Sequence, residues 1–507
     1  MHRRDFMRRL GLGAAALILG RSSGRAKEAK AARLNVLLFT ADDLDRNSLG
    51  CFGGKVPGLT PNLDRFAAEG MRFNRAHVTV AICQPSRGVL GTGLYGHNSG
   101  ILGFMHTDKD IPTVMETLGQ AGYLTGVLGK VNHSTPKAAY KWDFMHYYKE
   151  LGCGRSPRKY YAYCKEFFAR CRDEGKPFYF MVNSHDPHRP FQVPGRLLPG
   201  AETPSKLYKP EDVPVPGFLP DLPGVRAELS TYLNSVRRCD DTFGKVMQAL
   251  AESGFADNTL VMFLSDNGIA VPFAKCNCYL ASTRTPWIAR WPGVVKPGAV
   301  DDESFISGID FFPTVLAATH LPALAGLDGR SFLPLLQGRK QSGRERVFTQ
   351  IDRKAGGANV PMRCVQDAEY GYIFNAWSDG VYEYHNNNEG KCWAAMKAAS
   401  ANDSAVARRV KVFRLRSPEE FYHVRKDPDC LHNLVDDPAH AEPLKRYRSL
   451  LAEWMTKTGD PMREAFERRG DATWMKGFWQ KLHPPRRRRR PSGQKRAGSG
   501  KDRQTPS

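Results

Sequence analysis

Leu34-Asn35-Val36-Leu37-Leu38-Phe39-Thr40-Ala41-Asp42-Asp43 is an apolar, β-rich run that stops abruptly at two acids. Three later runs have the same form. Leu124 to Leu128 is followed by Lys130 and His133, Pro177 to Asn183 by His185-Asp186-Pro187-His188, and Thr259 to Ser265 by Asp266-Asn267. Runs this short and this continuously apolar predict strands covered on both faces, as in a parallel sheet flanked by helices. The intervening stretches supply those helices. Thr60-Pro61-Asn62-Leu63-Asp64-Arg65-Phe66 opens one, with a threonine cap and a proline at the first helical position, and another runs from about Arg226 to Ser253. The fold class is therefore α/β: a central, mostly parallel sheet flanked by helices over residues 34–340, with a smaller α+β domain over 341–482.

Open sheets of this kind bind ligands in the crevice beyond the carboxyl ends of their strands, so the polar groups after the four runs can converge on one place. Asp42, Asp43, Asp266 and Asn267 offer three carboxylates and an amide oxygen, a hard donor set suited to calcium or magnesium rather than zinc. Taken alone, Asp42-Asp43 also reads as a turn or helix cap, and Asp266-Asn267-Gly268 as a tight turn. Arg87, Lys130 and Lys275 can supply cations to an anionic group, and His133 and His185 can move protons near neutral pH.

Cys83 lies in Ala81-Ile82-Cys83-Gln84-Pro85-Ser86-Arg87-Gly88-Val89-Leu90-Gly91-Thr92-Gly93. This stretch resembles the sulfatase signature Cys-x-Pro-Ser-Arg with its Leu-x-Thr-Gly tail. The likeness extends from about Asn35 to Pro438, through Gly93-Leu94-Tyr95-Gly96-His97-Asn98-Ser99-Gly100, His185-Asp186-Pro187-His188-Arg189, Tyr208-Lys209-Pro210-Glu211-Asp212-Val213-Pro214, Ser265-Asp266-Asn267-Gly268-Ile269 and Pro361-Met362-Arg363-Cys364-Val365-Gln366. Late matches are Glu420-Phe421-Tyr422, Asp427-Pro428 and Asn433-Leu434. The chain thus resembles the formylglycine sulfatases of the alkaline-phosphatase superfamily, and most of all their sulfamidase (N-sulfoglucosamine sulfohydrolase) branch.

The resemblance implies a set of roles. A maturation enzyme would oxidise Cys83 to formylglycine, whose hydrated aldehyde provides the attacking oxygen. One calcium ion would be held by Asp42, Asp43, Asp266, Asn267 and the oxygen carried at position 83. His185, with Lys275, would serve the leaving group, and His133 would release sulfate from the covalent intermediate. Arg87 and Lys130 would hold the formylglycine oxygens and the sulfate charge. One departure stands out: sulfamidases carry histidine two residues after the active-site lysine, where this chain has Asn132, so Asn132 rivals His133. His97, His188, Arg189 and Arg363 are the residues next expected to touch substrate.

The ends of the chain speak to its location. Arg3-Arg4-Asp5-Phe6-Met7-Arg8, the apolar run Leu10 to Leu19 and Ala29-Lys30-Ala31-Ala32 read as a twin-arginine export signal over residues 1–33. The run is about half a membrane span, so no anchor is expected in the mature protein. Export after folding, by the twin-arginine translocon, to the periplasm or the exterior is expected, with maturation of Cys83 beforehand. The ends hold +7 (residues 1–33) and +8 (484–507) of the formal +22. That leaves little charge on the body and no expectation of nucleic acid binding. Residues 483–507 lack the apolar groups to order themselves and read as a disordered basic tail, with attraction to a polyanion as the alternative. Cys276-Asn277-Cys278 lacks a second pair to complete a zinc pattern.

The expected function is sulfate removal from a sulfated saccharide, most of all the N-sulfate of a terminal glucosamine of heparin or heparan sulfate. Rival readings are an O-sulfatase on iduronate, glucosamine or another glycan sugar, a phosphonate or phosphate ester hydrolase, and a glycan-binding protein that has lost maturation.

Overall fold

A computed structural model describes residues 33–484. The export segment and the basic tail, apart from their innermost residues, lie outside the described residues. Strand Asn35–Asp42 is buried at every position and pairs in parallel with Phe178–Pro187 on one side and Thr259–Ser265 on the other. Its residues alternate between two cores. Leu37, Phe39 and Ala41 enter one, and Val36 and Leu38 enter the other. Both faces are therefore dry, which is why the strand reads as a continuous apolar run.

The sheet has eight strands, in the order Phe144–His146, Leu124–Leu128, Phe178–Pro187, Asn35–Asp42, Thr259–Ser265, Trp287–Arg290, Met71–Phe73, Ala299–Asp301. The first five run parallel, and Trp287–Arg290 runs antiparallel to both its neighbours. Of the four predicted strands, Leu124–Leu128 and Thr259–Ser265 keep their ends, and the other two run on to Asp42 and Pro187. The long helix Pro223–Ser253 covers one face, where Phe243 meets Phe39 edge-on at 5.2 Å. Helices Val114–Gln120 and Phe311–Ala318 cover the other.

Helix Pro61–Glu69 begins where expected, but Thr60 does not cap it. The Thr60 hydroxyl accepts from the Gly50 amide and faces the Asp64 carboxylate instead. The free amides of Asn62 and Leu63 are taken by Asp240, from the middle of the long helix, at 3.1 and 2.9 Å. A tertiary carboxylate thus replaces the local cap.

The C-terminal part is built on a four-stranded antiparallel sheet, Val347–Arg353, Asn359–Gln366, Gly371–Asn375, Glu419–Tyr422, with helix Ala441–Thr458 packed on it. It shares the first core through residues such as Tyr372, Phe413 and Trp454. All eleven cysteines are unpaired. No helix among the described residues is long and apolar enough to cross a membrane.

Candidate active site

The four strand ends converge. Asp42 closes the central strand and Asp43 turns out of it with φ 70°; Lys130 leaves its strand with φ 47°. Left-handed backbone at non-glycine residues persists only where its surroundings hold it, and it clusters at sites of this kind. Gly129, beside Lys130, has φ 65°, and a Cβ there would lie 2.5 Å from the Asn183 carbonyl oxygen. Only glycine lets the lysine reach the crevice here.

Cys83 is the first residue of helix Cys83–Thr92 and is buried. Its Sγ lies 3.2 Å from Asp42 Oδ1, 3.9 Å from Asp43 Oδ1 and 3.4 Å from Lys275 Nζ. Lys130 pairs with Asp42, and Lys275 with Asp43 at 2.5 Å. Burial, and then the Asp42 charge, push the Cys83 thiol far above its usual range. As cysteine it is a neutral thiol and a weak nucleophile.

Burial opposes ionisation of Asp42, but the charges of Lys130, His188, Arg87 and Lys275 outweigh it and hold its carboxyl well below the usual range. Burial, and then the Asp42 charge, raise Asp266 to about 7. Burial also opposes the charge on both lysines, yet Asp42 holds Lys130 above its usual range and Asp43, with Asp42, does so for Lys275. Both ammoniums stay charged.

Arg87, one helical turn past Cys83, is fully buried. Its Nε and Nη2 donate to Asp266 Oδ2 at 2.9 and 2.7 Å, and its Nη1 donates to Thr40 Oγ1 and Asn183 Oδ1, each at 2.5 Å. It therefore orients Asp266 instead of presenting an open guanidinium. Thr40 and Asn183, which complete this clamp, carry no motif and were invisible in the sequence.

The donor set fits a hard divalent cation. Asn267 Nδ2 donates to Asp43 Oδ1 at 2.7 Å and to the Gly268 carbonyl at 2.8 Å, which leaves Asn267 Oδ1 buried without a partner. Asp43 Oδ2 is likewise buried without a hydrogen bond. Ligand atoms of Asp42, Asp43, Cys83 and His188 all lie within 4.8 Å of one another. Buried oxygens left bare in this way are what an ion of that class would satisfy.

His133 and His185 flank the cluster. Burial, and then the Lys130 charge, lower His133 to about 3 and His185 well below its usual value. Nδ1 of each is buried without a partner. The His133 ring stands edge-on to Phe104 at 5.4 Å, and His185 packs against Tyr148 at 5.6 Å. Both aromatic residues are 43% exposed, so they form a rim beside the two histidines. Asn132, by contrast, is exposed.

The strand end bearing His185, and His188 just beyond it, are braced from below. Fully buried Asp186 accepts Arg238 Nε and Nη2 at 2.7 and 3.0 Å and Arg155 Nε at 3.2 Å, and Arg155 Nη2 also holds the His188 carbonyl at 2.8 Å. His188 Nε2 is 3.8 Å from Asp43 Oδ2. Arg189 donates from Nε to the Ala270 carbonyl at 3.0 Å and pairs with Glu228, and its Nη2 is buried without a partner.

Two expected substrate residues sit in a different network. Arg363 is fully buried, with its donors on Asp460, Asp352 and the carbonyls of Ile351 and Met362, so no donor is left for a sugar. His97 bonds Gln350 at 3.1 Å and packs against Tyr95 and Trp454. None of these contacts involves the strand-end cluster.

An acid-rich crevice with a buried cysteine at a helix start, two lysines and two histidines, at the strand ends of a mostly parallel sheet, is a place where an anionic group can be held and acted on. Residues 34–321 match the sulfatase family model, and residues 270–375 match the model described as N-sulphoglucosamine sulphohydrolase, C-terminal. The chain belongs to the sulfatase family and is a hydrolase of sulfate esters or sulfamates. It is similar to human N-sulphoglucosamine sulphohydrolase, 30% identical over 465 residues that cover 84% of this chain and 91% of that protein. It is also similar to an ulvan-active sulfatase of Formosa agariphila, 28% identical over 85% of this chain and 81% of that protein. A solved structure in complex with its substrate D-glucosamine-2-N,6-O-disulfate shares the fold, with TM-score 0.64, 19% identity, and coverage of 85% of this chain and 99% of the other. The phosphonate monoester hydrolase of Agrobacterium radiobacter shares it too, with TM-score 0.61, 19% identity, and coverage of 84% and 96%.

Proposed function

We propose that this sulfatase removes the N-sulfate of a terminal glucosamine of heparin or heparan sulfate, with Cys83 matured to formylglycine and calcium as the ion. The observation that carries the reading is the seat of Cys83: its Sγ is 3.2 Å from Asp42 Oδ1 and 3.4 Å from Lys275 Nζ, in a crevice walled by two neutral histidines. The sulfamidase branch is supported by the C-terminal family match and the human relative. The exposed rings of Phe104 and Tyr148 suit the apolar face of a sugar.

Asp42, Asp43, Asp266 and Asn267 would hold the ion, which supplies positive charge to the sulfate and acidity to the attacking hydroxyl. Matured to formylglycine, residue 83 would supply a hydrated aldehyde, one hydroxyl of which would pass its proton to Asp266 and bond to sulfur as the S–N bond breaks. Lys130 and Lys275 hold the sulfate oxygens' charge. His185 gives a proton to the departing nitrogen, so that the sugar leaves as a free amine. His133, rather than exposed Asn132, takes the proton of the remaining hydroxyl as the carbon–oxygen bond to sulfate breaks and the aldehyde returns. The bound sulfate's negative charge favours protonated histidine, which opposes the downward shift that burial gives both rings.

The same reading has the protein matured in the cytoplasm, exported folded by the twin-arginine route, and active in the periplasm or outside the cell. Mass spectrometry of the tryptic peptide containing Cys83, from protein made in its native host, tests the nucleophile: conversion of thiol to aldehyde removes ~18 Da. Sulfate release is then compared on N-sulfoglucosamine, O-sulfated sugars and a phosphonate monoester. An unmodified thiol would sink the mechanism, and release from O-sulfated sugars alone would replace the substrate.

A further inference from the structure

Away from the catalytic crevice, a cavity of about 570 Å³ opens between the edge strand Val347–Arg353 and helix Ala441–Thr458. Tyr95, Phe348, Trp454, Arg330, Arg346 and Lys457 line it. Tyr95 follows the C-terminal end of the helix whose first residue is Cys83. Ten residues of helix span about 15 Å, so the cavity lies well beyond the reach of the reacting sulfate.

Its chemistry is that of an anion-binding sugar site. Phe348 stacks on Trp454 with ring centroids 5.2 Å apart and planes 6° apart, and Trp454 meets Tyr95 edge-on at 5.0 Å, which gives a fixed aromatic wall. Sugar rings offer their C–H faces to such walls. The cations divide into those already used and those free. Arg344 is spent on Asp310, Gln341 and two carbonyls, and Asp328 is spent on the Tyr95 amide and Asn98. Arg330 has Nη2 pinned by the carbonyls of Ser342 and Gly343, which fixes the rest of its fork. Arg346 keeps a buried Nε without a partner. Lys457 is exposed, and the acids Asp328 and Glu453, neither of them in an ion pair, offset two of these three charges. A guanidinium with a bare N–H beside an aromatic wall suits an anionic acceptor, such as a carboxylate or a tetrahedral sulfate group.

We propose that this cavity is a second saccharide site, which takes an anionic sugar ring independently of the catalytic crevice. The proposal rests on the reading of the substrate as a sulfated saccharide. The volume is within the range of sites that hold a small ligand.

The test is calorimetric titration of the full chain, in a Cys83→Ala background that does not consume ligand, with a fully sulfated heparin disaccharide. Two saccharides per chain are expected. Arg346→Ala and Lys457→Ala should each weaken the second site by about tenfold or more, the size of one lost charge-assisted contact. The exposed Lys296→Ala, outside the cavity, should leave both sites alone. With Cys83 intact, Arg346→Ala should release sulfate from N-sulfoglucosamine at the parent rate. One saccharide per chain, two unchanged sites in the Arg346 and Lys457 variants, or an equal loss with Lys296→Ala overturns the proposal. Failure of the substrate reading shows separately, as absent sulfate release by the parent enzyme.

Discussion

Asp186→Asn should damage both stability and catalysis although Asp186 touches no expected ligand. Its carboxylate is fully buried and accepts three hydrogen bonds from the two guanidiniums of Arg238 and Arg155. Asparagine keeps one acceptor oxygen but removes the only charge facing both arginines in this brace. Breaking a buried pair by removing one partner costs about 3–5 kcal/mol. At ~2.1 cal/mol/K per residue, a chain of this size has an unfolding entropy near 1 kcal/mol/K, so Tm should fall by about 3–5 °C. His185, next to it, and His188, two residues on, lose their support, and a misplacement of about 1 Å is enough to lower kcat/KM by roughly 100-fold. The assay is calorimetry with steady-state sulfate release, repeated for Arg238→Met and the double variant. The double variant should cost less than the sum of the singles, because the second change removes the charge that the first leaves stranded. A Tm within about 1 °C of the parent, or strictly additive losses, refutes the brace.

Phe104→Ala and Tyr148→Ala should each raise KM for a sulfated sugar several-fold while kcat changes little, since the exposed rings offer binding area beside His133 and His185 but no proton; a fall in kcat with KM unmoved would contradict a rim role. Removing the divalent ion with a chelator should lower Tm, with recovery on adding calcium that approaches the ~2.7 kcal/mol expected at a hundredfold excess over Kd, and it should weaken binding of inorganic sulfate in parallel; an unchanged Tm and sulfate affinity would count against a metal at Asp42, Asp43 and Asn267. Burial, and then the charges of Arg284 and Arg46, lower buried His77 to about 3. A histidine held neutral in the fold contributes stability that is fully present above its unfolded value near 6.5 and is lost as pH falls towards 3, at up to about 1.4 kcal/mol per pH unit. His77→Gln should therefore flatten the loss of stability between pH 6 and 4 by about one proton, and parallel denaturation curves for parent and variant across that range would exclude it.

The strand ends were legible because a doubly covered strand leaves a continuous apolar run, and a crevice leaves polar residues at its end. Asp42, Lys130, His185 and Asp266 follow from that grammar alone, and the structure gathers them around Cys83. What stayed hidden is what depends on contacts distant in sequence. Asp240 caps a helix 178 residues away, and nothing near Thr60 announces it. Arg363 reads as a free cation in Pro361-Met362-Arg363, yet it is spent on Asp460, 97 residues on. Arg87 reads as a sulfate ligand, and only the positions of Thr40, Asn183 and Asp266 turn it into a clamp. Phe104 and Tyr148 sit in loops, where no periodicity marks a ring as functional.

The clamp also explains how so much charge is kept in one dry place. Asp42, Asp43 and Asp266 face Arg87, Lys130 and Lys275, three carboxylates against three cations, and all six side chains are nearly or wholly buried. Unpaired, any one of them would cost several kcal/mol. With all three acids ionised the set is neutral as a whole, and each acid has its own cation. A divalent ion added to the bare oxygens of Asp43 and Asn267 would leave the crevice with two excess positive charges. That excess matches a sulfate anion and is wasted on a neutral sugar hydroxyl, so metal affinity and sulfate affinity are two readings of one electrostatic balance. The same balance bears on the proposed maturation of Cys83. With burial and Asp42 keeping its thiol protonated, the site gives a cysteine no means of ionising. A hydroxyl-bearing group there needs no buried anion before it meets the ion and the substrate together.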